Sequence, residues 1–268
     1  MKLAQTPVVV SGSRGLFWVK EGFRLLMRRP LIWTLTMVLY WSLVVLTSMI
    51  PALGVVLPAL LSPALSFGFI AIARGIDQSE IVGPRMLLSG FRDKRTSIGL
   101  LQMGAAYGIG VALVVLASWL VAGDWLGAIL NPEGPRPSEE AEIGPPLGLL
   151  VAMLAYIPVT MAFWFAPQLL VWGGFSVGKS IFYSFFAVWR NRSAFLRFAL
   201  AWGVMIVGLS TLLSLVLSGL GGSPNQLLML ALPLSLLLMA IAQGSFYAST
   251  VDLFSESVEL GDREGEPL

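Results

Sequence analysis

Cysteine and histidine are both absent from this chain, and charged residues make up only 12% of it. Without them there is no disulfide, no thiolate nucleophile, no imidazole base and no Cys or His metal site. Soluble domains carry roughly 25% charged residues. Half that fraction, with 56% hydrophobic residues and a mean hydropathy of +0.82, puts the chain in bilayer solvent. Porin-type alternation of polar and apolar residues is missing too, which argues against a β-barrel. What is present instead is a series of long apolar runs.

A spanning helix needs about 20 mostly apolar residues. Six runs qualify, at 31–50, 55–73, 98–121, 147–172, 195–218 and 227–250. Each must be helical, because an isolated strand cannot satisfy its backbone in lipid. The apolar run Val8–Val10 is too short for a signal-peptide core. The expected organisation is a cytoplasmic tail at 1–14, a six-helix transmembrane domain at 15–254 and a disordered acidic cytoplasmic tail at 255–268.

Charge sets the expected sidedness. Of the 17 Lys and Arg residues, all but Arg136 fall before the first run, after the second, after the fourth or after the sixth. Arg136 lies in an acidic, Pro-rich loop at 122–146, beside Asp124, Glu133, Glu139, Glu140 and Glu142. The positive-inside rule makes both termini cytoplasmic and that loop external. Membrane sidedness accounts for the pI near 9.1, so nucleic acid is not an expected partner.

A tripeptide recurs. Gly22-Phe23-Arg24 returns as Gly90-Phe91-Arg92, with a weaker copy at Ser184-Phe185-Phe186, and each precedes a pair of apolar runs. Interior prolines follow the same rhythm: Pro58 and Pro63, then Pro158 and Pro167, then Pro233 all fall in the even-numbered runs. The expected fold is an all-α membrane protein of six transmembrane helices. They form three helix-pair repeats, each preceded by a cytoplasmic amphipathic segment.

Read as a helix, 16–29 places Lys20, Arg24 and Arg28 on one face and Leu16, Val19, Phe23 and Leu26 on the other, with Phe17 falling among the basic residues. Segment 176–191 lines up Lys179, Ser180, Tyr183, Ser184 and Asn191 against Ile181, Phe182, Phe185 and Trp189. Such helices suit the headgroup layer or a packed connection to the bundle. Lys20, Arg24, Arg28, Arg92, Arg95, Arg190 and Arg192 are therefore the candidate contacts to anionic headgroups or to a partner membrane protein.

The central parts of the runs hold no Asp, Glu, Lys or His, which removes the usual mark of a proton relay. Gln168 and Gln243 are the candidate cavity-facing polar residues, with bonding between helices as the plainer role. Gly104 and Gly108 form a GxxxG suited to close helix packing. Gly173 through Ser180 matches the G-x-x-x-x-G-K-S phosphate-loop spacing, but a membrane helix precedes it where a strand is required. No acid, base and nucleophile share one layer, so no catalytic, cofactor or metal residue is assigned.

Phe163-Trp164-Phe165-Ala166-Pro167-Gln168-Leu169, Lys179-Ser180 through Asn191, and Gly22-Phe23-Arg24 through Arg29-Pro30 together resemble the BPSS1780 family of proteobacterial inner-membrane proteins. That group is similar to other six-helix families of unknown function. It is similar, more distantly, to the membrane domain attached to some glycerophosphodiester phosphodiesterases. The resemblance implies an inner-membrane protein and supplies no catalytic residues. The expected function is a non-enzymatic integral membrane protein that organises or binds lipid or a partner membrane protein. A passive transporter, channel or lipid-moving protein is the alternative, and a membrane-embedded enzyme ranks last.

Overall fold

The computed structural model describes residues 3, 4, 6–50, 54, 56–123, 144–221 and 224–255. The acidic loop carrying Glu139, Glu140 and Glu142, and the acidic tail from Glu256 onward, lie outside them. Among the described residues the regular structure is helical apart from one isolated antiparallel bridge, Leu3 to Ser255. That bridge puts the first and last described residues at one end of the bundle, which we call the basic end. In order, the elements are α1 (Arg14–Arg28), α2 (Pro30–Ser48), α3 (Val56–Asp77), a 3-10 helix (Pro84–Phe91), α4 (Lys94–Ala122), α5 (Gly144–Phe163), α6 (Ala166–Val171), α7 (Val177–Arg190), α8 (Arg192–Gly219) and α9 (Pro224–Phe254). Six stretches are long and apolar enough to cross a membrane, with α5 and α6 together making the fourth.

Local chemistry explains the breaks. Arg29 leaves the helical region (φ −146°, ψ 61°) and Pro30 opens α2 at its first turn, where its missing N–H costs nothing. The Trp33 indole then donates to Leu25 O at 3.1 Å across the corner, satisfying a carbonyl at the end of α1. Within α3, Pro63 cannot donate to Ala59 O; the Ser62 hydroxyl does so instead at 2.9 Å. Asp93 caps α4 by accepting from Thr96 N at 2.9 Å.

The fourth span is interrupted. Between α5 and α6 the Ser184 hydroxyl, from α7, accepts from Phe165 N at 2.9 Å and donates to Met161 O at 2.8 Å. In an unbroken helix those two backbone groups would bond each other, so Ser184 is inserted into the ladder, a recognised cause of kinking. Replacing Ser184 by Ala leaves a buried N–H and a buried C=O without their partner, at a cost of about 1–3 kcal/mol. We expect S184A to lower the unfolding midpoint in mild detergent. A midpoint equal to the wild type would show that the interruption belongs to Pro167 alone.

Packing is concentrated at the basic end. One core gathers Leu25, Leu26, Trp33, Met37, Phe69, Ile70, Ile72 and Leu87. The other gathers Trp18, Phe165, Leu169, Ala187, Phe198, Leu253 and Phe254. Towards the far end burial almost disappears: α8 buries only Ala194 and Phe198, while Val204, Leu212, Leu215, Met229 and Leu232 are exposed. Hydrocarbon is as good a solvent as leucine for such surfaces. One close approach does occur nearer the middle, where a Cβ on Gly104 would lie 2.0 Å from Leu60 O. Gly104 of the GxxxG therefore serves packing between α3 and α4.

The N-terminal segment is docked against this end. Ala4 N and Val8 N donate to Phe254 O and Leu253 O at 2.7 and 3.0 Å, filling carbonyls that the end of α9 leaves open. Asn191 holds the same segment by accepting from Val10 N at 2.8 Å and donating to Val8 O at 3.1 Å.

Candidate functional site

The helix α1 has three faces where the sequence suggests two. Gly15, Trp18, Gly22, Leu25 and Leu26 are buried, Leu16, Phe23 and Met27 are exposed, and the charged residues occupy the third side. Phe17, the apparent misfit, lies under the Arg14 guanidinium at 3.9 Å. On α7 the buried face consists of Ser180, Ser184, Ala187 and Val188, while Phe182, Phe186 and Trp189 point outward. Of the headgroup and packed roles open to the hydroxyl side, the structure takes the packed one. Ser184 bonds the interrupted backbone and Asn191 the docked segment, while the buried Ser180 hydroxyl has no hydrogen-bond partner among the described residues.

Several basic residues singled out in the sequence are already engaged. Arg24 donates to Glu21 at 2.6 Å and to Asp77 at 2.8 Å. Arg28 lies 3.6 Å from the same Asp77 carboxylate, which also accepts from Tyr247 at 3.1 Å. Burial works against the Arg24 charge, and its hydrogen bonds to Asp77 and Glu21 outweigh that, leaving its pKa raised. Arg14 pairs with Asp252 through Nε at 2.7 Å and Nη2 at 2.5 Å, and these bonds raise its pKa. Lys20, Arg92, Arg190 and Arg192 are exposed, and none forms an ion pair among the described residues.

Arg95 is placed differently. It lines a cavity of about 920 Å³ between the start of α4 and the turn from α6 into α7. Lys94 and Arg95 stand at its polar rim beside Asp93, whose carboxyl is held below its ordinary value by the Thr96 N–H. Ile98, Leu170 and Val171 form its apolar wall. The opposite wall contains Gly174, in the left-handed region at φ 67°, followed by Phe175 and Ser176. These belong to the stretch with phosphate-loop spacing. Lys179 Nζ sits 4.2 Å from the centre of the Phe175 ring, which keeps a third cation close by. As the sequence requires, this loop follows a membrane-spanning helix rather than a strand, and it leads into the amphipathic α7.

A second cavity, of about 270 Å³, lies within the spans and is lined by Ser62, Pro63 and Ser66 of α3, Tyr107 of α4, Tyr156 and Thr160 of α5, and Phe246 of α9, with Phe163, Trp164 and Pro167 at the interrupted fourth helix. The Tyr107 and Tyr156 hydroxyls are 2.5 Å apart. A third, about 820 Å³, is an almost wholly apolar groove between α3 and α4. Gln168 and Gln243 line none of the three. Gln168 is buried and donates to Trp164 O at 3.4 Å; its Oε1, like that of Gln243, has no partner among the described residues. The hydroxyl groups of the inner cavity were missed in the sequence because single Ser, Thr and Tyr residues carry no spacing pattern.

Comparison with known proteins agrees with this architecture. The chain is 33% identical over 247 residues to Probable inner membrane protein BTH_II0599 of Burkholderia thailandensis, covering 90% of this chain and 91% of that one. No protein-family model matches the chain. No solved structure matches it either. With a third of its residues shared along nearly the whole length, and six membrane-spanning helices, the chain belongs to the family of that Burkholderia inner-membrane protein and is itself a multi-pass inner-membrane protein.

Proposed function

We propose that this protein is a non-enzymatic membrane organiser that binds anionic phospholipid at its basic end. The observation that carries the reading is the 920 Å³ cavity at the start of α4. Its rim is cationic and its wall is apolar, the two requirements of a phosphate headgroup and the upper part of its acyl chains. Lys94 and Arg95 outnumber the one carboxylate present, Asp93. The outward aromatic face of α7 fits the headgroup boundary. In this reading the basic end is cytoplasmic, as the positive-inside rule expects, and Arg92, Arg190 and Arg192 add a diffuse attraction of about 1 kcal/mol each.

Three related units also fit the contacts. The segment before α2 packs on α9, the 3-10 helix before α4 packs on α3, and α7 packs on α5 and α6, so each rests on the proline-containing helix of the unit before it. At equivalent positions a Cβ on Gly22 would meet Ile241 O at 2.2 Å, a Cβ on Gly90 would meet Ala64 O at 3.2 Å, and Ser184 bonds Met161 O. This cyclic arrangement supports the repeat. The motifs Phe163–Leu169, Lys179–Asn191 and Gly22–Pro30, with the inner-membrane relative, support membership of the BPSS1780 group.

The test is lipid retention. Reversing Lys94, Arg95 and Lys179 together to Glu should reduce anionic phospholipid co-purified in mild detergent about tenfold or more, since three surface contacts of about 1 kcal/mol are inverted. Arg24 and Arg28 are poor targets, because reversing them would set like charges against Asp77. Unchanged retention in an inserted, folded triple variant would defeat the reading. The alternative, a passive path for lipid or solute, draws its support from the prolines inside α3, α5 and α9. Faster transbilayer movement of a labelled lipid in vesicles bearing the protein would favour it.

A further inference from the structure

We propose that the inner cavity is a binding site for a planar, uncharged ring bearing carbonyl or hydroxyl oxygens, the headgroup class of the membrane quinones. Depth is the first argument. Tyr107 is 13 residues along α4 from Lys94, about 20 Å at 1.5 Å per residue, so the cavity lies near the middle of the span. A ligand reaching it from the bilayer must itself dissolve in hydrocarbon.

Charge is the second. The lining contains no ionisable acid or base apart from tyrosine, so it offers nothing to neutralise an ion in low dielectric. Shape and chemistry are the third. The walls are mainly apolar and aromatic, with Phe163, Trp164 and Phe246 supplying ring surfaces, and such walls favour offset or edge contacts with another ring. Around them stand five hydroxyls from three different helices: Ser62 and Ser66 of α3, Tyr107 of α4, and Tyr156 and Thr160 of α5. Ser62 already bonds Ala59 O, and the two tyrosines bond each other. Thr160 also bonds its own helix at Tyr156 O. No group among the described residues bonds the Ser66 hydroxyl, so it is free to donate to a ligand oxygen. Few polar groups on a largely apolar wall is the usual make-up of a small-molecule pocket. A polyol would need more free donors, because four of the five hydroxyls already bond protein groups. The volume of about 270 Å³ equals about nine waters at roughly 30 Å³ each, the bulk of one substituted six-membered ring. The rim reaches the surface at Tyr156, which is 39% exposed, so a tail can remain in the lipid while the ring is seated.

This inference is independent of the lipid site at the basic end, and the two fail separately. The probe is a short-chain benzoquinone carrying one isoprene unit, equilibrated by dialysis between detergent micelles with and without the full-length protein. We expect saturable binding of about one quinone per chain above micelle partitioning. Because the fold does not use the Ser66 hydroxyl, S66A should remain folded and weaken binding up to about tenfold, one neutral hydrogen bond. S66L, which fills the cavity, should abolish it. Excess glycerol should displace nothing. Binding that never saturates, S66A and S66L that both bind like the wild type, or displacement by glycerol would each overturn the proposal.

Discussion

Replacing Gly22 by valine should unseat α1 and destabilise the protein by about 3 kcal/mol or more, at the upper end of overpacking costs. A Cβ at this position would lie 2.2 Å from Ile241 O and 2.4 Å from Ser245 Oγ. The first of these is backbone and cannot swing away. From the other side, a Cβ on Gly244 would lie 2.9 Å from Gly22 Cα, so the two helices cross with main chain against main chain. Such proximity suits helix pairs in lipid, where dispersion and hydrogen bonding carry association. Displacing α1 would also strain the Arg24–Asp77 and Arg14–Asp252 pairs. The expected drop in midpoint, read by thermal unfolding in mild detergent, is about 6 °C or more. Gly203, which has no atom within 4 Å of an added Cβ, provides the control: G203A should be neutral or stabilising through helix propensity. Equal midpoints for the two variants would remove the α1–α9 crossing from the account of stability.

A comparable loss is expected from Trp18→Ala, about 3–5 kcal/mol, the range for deleting a buried aromatic. Trp18 is fully buried, with Phe195 and Phe198 at ring-centre distances of 5.1 and 6.1 Å. Its indole N–H donates to Asp252 Oδ2 at 2.8 Å, beside the Arg14 guanidinium on the same carboxylate. Trp18→Phe separates the two contributions. It keeps much of the packing and loses the hydrogen bond, so it should cost about 1–3 kcal/mol. Limited proteolysis gives an independent readout, because the docked N-terminal segment rests on the end of α9 that Asp252 anchors. Cleavage before Arg14 should accelerate in W18A. If W18A and W18F unfold together, the hydrogen bond and not the ring is what matters.

Six spans and a common side for both termini were readable from the chain. Twenty apolar residues without charge have one stable conformation in lipid, and an even number of crossings returns the chain to its starting side. The Leu3–Ser255 bridge agrees. Pro63, Pro158 and Pro233 lie inside α3, α5 and α9, and of these spans the fourth is the one the structure breaks in two. The interruption of the fourth helix was only half visible: Pro167 is in the sequence, but the hydroxyl that splits the ladder comes from Ser184 on another helix.

The fate of the charges was not readable either. Arg24 and Arg28 share a helix face as their spacing requires, yet their counter-ion Asp77 is supplied by the end of α3. The Arg14 partner Asp252 lies 238 residues away. Arg95, of the cations singled out, lines the cavity at the start of α4, beside Lys94.

Composition and periodicity determined that this is a six-helix membrane protein with basic segments between its helix pairs, because burial in lipid is decided residue by residue. Tertiary structure decided which way those segments turn. At a membrane boundary an aromatic face is equally stable against lipid or protein, so it does not orient a helix. Hydroxyls and amides do, because they move to wherever backbone groups lack partners. On α7 that place is the interior, at the interrupted helix and the docked N-terminal segment. Ser184 and Asn191 therefore face inward, and Phe182, Phe186 and Trp189 face out.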